Sequence, residues 1–120
     1  MTADGFRRLA LSQPEAVESA HMNHPDFRVR GKIFATLGYP DDAWGMVKLS
    51  LIDQELFIQA DPETFSPVTG AWGKGGATRV QLRTARKALL SRAFDCAMRA
   101  TLAARQARRP ARRTKKKKSS

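Results

Sequence analysis

The chain has 120 residues, 42% of them hydrophobic and 8% aromatic, and a formal net charge of +11. That length supports one packed core and is too short for two ordinary domains, while the apolar share excludes a chain too polar to fold. A single cysteine, Cys96, excludes an internal disulfide and a cysteine-built zinc site, and with no apolar run of about 18 residues and no secretory leader the expectation is a soluble, cytoplasmic protein.

In chain order, Thr2 or Asp4 can cap a first helix in which Phe6, Leu9 and Ala10 share a face; Pro14 should end it near Ser12. Residues 16–22 read as a first strand. From Phe27 to Leu37 apolar residues alternate with polar ones around Arg30-Gly31, which predicts strand, tight turn, strand, with Phe27, Val29, Ile33 and Leu37 as core anchors. The turn formers at 38–42 predict a loop. Residues 44–49 predict a further strand, with Trp44, Met46 and Lys48 on one face and Val47 and Leu49 on the other.

Ser50, with Asp53 three positions on, predicts a second helix whose buried stripe is Ile52, Leu56 and Ala60, widened by Leu51 and Phe57. Residues 61–76 carry two prolines and four glycines without a period and read as one long loop, the first place to look for a site. Residues 77–82 alternate as a short strand. Thr84 is placed to cap a terminal helix with Leu89, Ala93, Cys96, Ala97 and Ala100 along one face, flanked by Leu90, Phe94 and Leu102 and ending before Pro110.

The charge divides unevenly. From Arg105 to Ser120 there are nine basic residues and no acidic one, which leaves 13 Lys or Arg against 11 Asp or Glu in residues 1–104. The first 104 residues are therefore nearly neutral. Residues 105–120 read as a disordered basic tail with too little apolar surface to bury.

Three segments carry a resemblance: His24-Pro25-Asp26-Phe27-Arg28-Val29 with Gly31-Lys32-Ile33-Phe34-Ala35-Thr36, then Asp61-Pro62-Glu63-Thr64-Phe65, then Gly70-Ala71-Trp72-Gly73-Lys74-Gly75-Gly76-Ala77-Thr78. Together the sequence resembles the MmcQ/YjbR family of small bacterial proteins over about residues 3–104; the Lys-rich tail lies outside the family pattern. The resemblance implies a DNA-binding-like, double-wing α+β fold related in shape to frataxin-type domains, in a family whose biochemical role is generally uncharacterised. The expected architecture is a two-layer α+β sandwich: an antiparallel sheet of about five strands with helices packed on one face.

The tail is the strongest functional signal: Arg105, Arg108, Arg109, Arg112, Arg113, Lys115, Lys116, Lys117 and Lys118 would displace condensed counterions from a polyanion without reading its sequence. Its ordinary reading is a solubilising extension. Trp72, Lys74 and Arg79 combine an aromatic with cations on glycine-rich backbone, as single-strand binding requires, although a tryptophan packed over the sheet edge is the favoured reading. Arg28, Arg30 and Lys32 would extend a basic surface toward Arg79, or simply form the solvated face of a half-exposed sheet, which is the favoured reading there. His21 and His24 lack a third metal ligand, Cys96 lies on an apolar helix face, and no carboxylate pair has catalytic spacing. The leading expectation is a non-enzymatic nucleic-acid binding protein, DNA before RNA, monomeric and without a cofactor. The alternative is a protein- or small-ligand-interaction module in which Trp72, Phe65 and Tyr39 line a pocket and the basic tail is unrelated.

Overall fold

Thr2 caps the first helix as its position predicts: its hydroxyl accepts from the Gly5 amide at 3.0 Å at the head of α1 (Ala3–Leu11), whose buried residues are Phe6 and Ala10. The computed structural model describes the backbone of residues 1–118 except positions 22 and 40; the side chains of residues 21 and 105–118 also lie outside the described set. After α1 come β1 (Val17–His21), β2 (His24–Val29), β3 (Lys32–Leu37), β4 (Trp44–Lys48), α2 (Leu51–Ala60), β5 (Phe65–Pro67), α3 (Ala71–Lys74), β6 (Ala77–Gln81) and α4 (Lys87–Lys118). The strands form one antiparallel sheet in the order β1-β2-β3-β4-β6-β5. It has six strands where about five were expected, because residues 61–76 are not one loop but supply β5 and the single turn of α3.

The central hairpin closes as alternation predicts. Val29 pairs with Lys32 around Arg30 and Gly31, whose φ values of 52° and 81° are the left-handed pair that a two-residue hairpin turn needs. One anchor differs. A bulge shifts the register between Phe27 and Arg28, so Phe34 is fully buried and Ile33 only partly so. Phe27, Val29 and Leu37 are buried as expected.

Phe34 and Phe6 meet the terminal helix at one residue. The Phe94 ring stands edge-on to Phe6 at 5.0 Å and 74° and to Phe34 at 6.3 Å and 87°, contacts worth about 0.5–1.5 kcal/mol each beyond their area. Gly45 lies beneath the Phe6 ring, where a Cβ would come within 2.6 Å of it. Leu90, Ala93, Phe94, Ala97 and Met98 are the buried side of α4, while Leu89, Cys96 and Leu102 are only partly covered. Thr84 does not cap this helix. It sits in a 3-10 turn, where its hydroxyl lies 2.8 Å from that of Thr64. The helical backbone also runs past Pro110, where an end was expected; Ala, Arg and Lys dominate residues 103–118 and favour helix, and proline removes one intrahelical bond. The expected disorder of residues 105–120 concerns a stretch whose side chains lie outside the described residues.

Helix α2 forms where Ser50 predicts, its hydroxyl accepting from the Asp53 amide at 3.1 Å, but it turns a different side inward. Gln54 and Phe57 are buried, whereas Leu51, Ile52 and Leu56 are exposed, Ile52 by 75%. The Gln54 amide donates to the carbonyls of Gly73 at 3.0 Å and Ala77 at 3.1 Å, and these buried bonds set the helix rotation. Phe57 then packs on Phe65 at 5.3 Å.

Candidate functional site

Cross-strand register defines a row over the whole sheet: Ser19, Asp26, Thr36, Met46, Arg79 and Ser66 stand opposite one another in turn. Directly opposed residues share a face, and this face is the reverse of the one on which Phe6 covers Gly45. Trp44, two residues before Met46, shares the row's face. The Arg79 guanidinium carbon lies 5.3 Å from the centre of the Trp44 ring, within cation–π range.

The second tryptophan arrives from α3. Trp72, 51% exposed, shares with Tyr39, Thr36, Met46 and Arg79 a hollow of about 260 Å³. Its position is set by close backbone contacts, because at Gly73 a Cβ would lie 1.6 Å from the Val68 carbonyl oxygen and at Gly76 one would lie 1.9 Å from that of Leu49. The glycines of this segment bring backbones together and so hold Trp72 beside β6.

The cations fall into two groups. Arg28 is held by Asp26, its Nε donating to Oδ1 at 2.8 Å and a terminal nitrogen to Oδ2 at 3.1 Å, and the carboxylate raises the arginine's already high pKa. Arg30 bonds Glu15 at 3.1 Å and holds that carboxyl below its ordinary range. Both were candidates for a basic surface toward Arg79 or, as the favoured reading, for a solvated sheet face; both are ion-paired within the protein. Arg28→Ala should lower the melting temperature, because Asp26 is fully buried and would lose both bonds, while leaving oligonucleotide affinity unchanged; a melt and a binding titration on one sample check it.

The other group is unpaired. Among the described residues Arg79, Lys74, Lys32 and Lys48 have no carboxylate partner, and the Arg79 Nε is buried without any hydrogen-bond acceptor. Lys74 is exposed on α3. Lys32 and Lys48 line a separate cleft of about 410 Å³ against Ala100 and Thr101 of α4, just before the basic tail begins. Of the sequence-predicted residues, Trp72 and Arg79 share the hollow, Lys74 and Lys32 are not among its lining, and Arg28 and Arg30 are ion-paired within the protein. The tail cations from Arg108 to Lys118 lie outside the described side chains.

The YjbR family model matches residues 11–100. The chain belongs to the YjbR family. Comparison with curated proteins and with solved structures returned no match in either. The hollow with Trp72 and Arg79, and Trp44 beside that arginine, lie inside the matched span of the YjbR domain, and the basic tail lies outside it.

Trp44, Met46 and Thr36 were not singled out from the sequence as site residues. The alternation that put Trp44 and Met46 on one face was visible, but their meeting with Arg79 depends on β4 pairing with β6 across the intervening α2, β5 and α3. The pocket expected from Trp72, Tyr39 and Phe65 contains the first two only. Phe65 is buried on the opposite face against Phe57.

His24 stacks edge-on to Tyr39 at 5.6 Å, and no three His, Cys, Asp or Glu residues gather to hold a metal among the described residues. Burial foremost, then Asp53, pushes the Cys96 thiol up from its ordinary pKa. Iodoacetamide at pH 8 should therefore label Cys96 severalfold more slowly in the folded protein than in urea, as mass spectrometry would show. No helix is long and apolar enough to cross a membrane among the described residues.

Proposed function

We propose that this YjbR protein binds nucleic acid, DNA before RNA, without catalysing a reaction on it, as a monomer in the cytoplasm. The basic tail provides most of the electrostatic affinity, and the sheet face around Arg79 provides the folded contact. The observation that carries the reading is the placement of Arg79. Arg28 and Arg30 are ion-paired with carboxylates, whereas Arg79, with no carboxylate partner among the described residues, lies beside Trp44 and shares the hollow with Trp72.

The test is fluorescence anisotropy with labelled DNA, using the full chain and a chain ending at Ala104, from about 50 to 300 mM salt, where phosphate contacts weaken by orders of magnitude. The shortened chain keeps every residue of the hydrophobic core. The full chain should show log affinity falling linearly with log salt, with a slope of about 0.7–0.9 per phosphate contacted. Ending the chain at Ala104 should cut affinity at least about a hundredfold at low salt and flatten the slope, leaving weak binding that Arg79→Ala removes. A shortened chain that binds no DNA even at the lowest salt would confine the contact to the tail. The hollow lined by Trp72 and Tyr39 supports a second reading, a small-ligand site whose response survives loss of the tail.

A further inference from the structure

We propose that the hollow beside Arg79 receives one unstacked base, so that the folded domain prefers single-stranded nucleic acid over duplex; this rests on the nucleic-acid reading above. The hollow, at about 260 Å³, falls below the roughly 300–1,000 Å³ of sites that take drug-sized ligands, and is suited to a single ring system. Its surfaces are those on which a base stacks. Trp72 offers a half-exposed indole on one side, the Arg79 plane backed by Trp44 stands nearby, and buried Met46 forms an apolar floor.

The polar groups fit the same occupant. Arg79 lines the hollow and no carboxylate among the described residues pairs with it, so its donor-only guanidinium suits a base carbonyl or a phosphate oxygen entering there. The Thr36 and Thr69 hydroxyls can accept or donate, so the pocket carries no fixed donor and acceptor code that would select one base. A duplex does not match this geometry. Its bases are paired and stacked, and reaching a recessed pocket would require flipping one out at the expense of its pairing and stacking. The tail, by contrast, is blind to the difference, since it meets phosphates on either form.

The chain has two tryptophans, Trp44 and Trp72, and both are near Arg79, so intrinsic fluorescence reports on the hollow directly. The full chain is titrated at about 150 mM salt with a thymidylate strand of about a dozen nucleotides, a hairpin duplex of equal charge, and an abasic strand of equal length. The single strand should quench the tryptophans and bind about tenfold more tightly than the duplex or the abasic strand. Trp72→Ala should erase that preference by bringing affinity for the thymidylate strand down to that for the hairpin and the abasic strand, and Trp72→Phe should keep most of it. A melting curve of each variant verifies folding, and the abasic comparison on the unaltered chain decides the matter if Trp72→Ala does not fold. Equal affinity for all three ligands, or an unchanged preference in folded Trp72→Ala, overturns the base pocket and leaves the broader reading standing. Absence of binding to any of the three at about 50 mM salt overturns both.

Discussion

An alanine at position 76 should cost the domain about 3 kcal/mol or more and lower its melting temperature by roughly 10 °C or more. Two effects combine. The backbone there has φ near 111°, a region that side chains avoid, and the added Cβ would lie 1.9 Å from the Leu49 carbonyl oxygen. Relief by a small shift is blocked because the same two residues are joined by the Leu49 amide donating to the Gly76 carbonyl at 3.0 Å. Moving either backbone breaks the bond that ties the exit of β4 to the start of β6. Gly31→Ala provides the comparison, since its φ is also positive at 81° but no atom lies within 4 Å of the added carbon. It should cost only about 1 kcal/mol, and urea denaturation of the two variants in parallel gives the difference. Equal midpoints would mean that the Leu49 contact relaxes freely.

The contrast between those glycines shows where the sequence was legible. Gly31 was readable because a hairpin turn is a local event: flanking alternation and a glycine tell almost everything about it. Gly73 and Gly76 were visible only as irregularity, since their purpose is to let Val68 and Leu49 approach from elsewhere in the chain. The same division runs through α2. Its residues are apolar nearly all round, so periodicity pointed to Ile52 and Leu56, while two hydrogen bonds from Gln54 to a distant segment decided the rotation. Strand β5 escaped notice because three residues ending in Pro67 carry no period, and it exists by pairing with β6.

The site follows the same rule. Trp72 and Arg79 are close in sequence and share the hollow, whereas Lys74, two positions from Trp72 on one helical turn, is not among its lining residues. Arg28 and Arg30 were read as free cations because only the folded chain discloses their engagement: Asp26 lies two positions from Arg28, but Glu15 reaches Arg30 across fifteen residues, from a residue that itself has a positive φ. Trp44 became part of the site through strand order. With β5 at the sheet edge, β6 is free to pair with β4, and that pairing sets Arg79 over the Trp44 ring.

Phe94→Ala should be the most destabilising core substitution, at about 3–5 kcal/mol, since it removes a fully buried ring that joins α4 to both α1 and β3. Surrounding collapse is limited. Phe6 is held against Gly45 and Phe34 sits on a bulged strand, so neither ring can move far into the gap. The variant also tests the division between the two sides of the sheet. Phe94 acts on the helix-covered face, while Arg79 and both tryptophans act on the reverse, with the sheet between them. Phe94→Ala should therefore lower the urea midpoint sharply yet bind oligonucleotides normally well below its melting temperature. Arg79→Ala should do the opposite, because among the described residues no carboxylate holds its charge and nothing accepts from its buried Nε. If both variants lose affinity in proportion to their loss of stability, the reverse face is only a structural surface, and binding belongs to the tail.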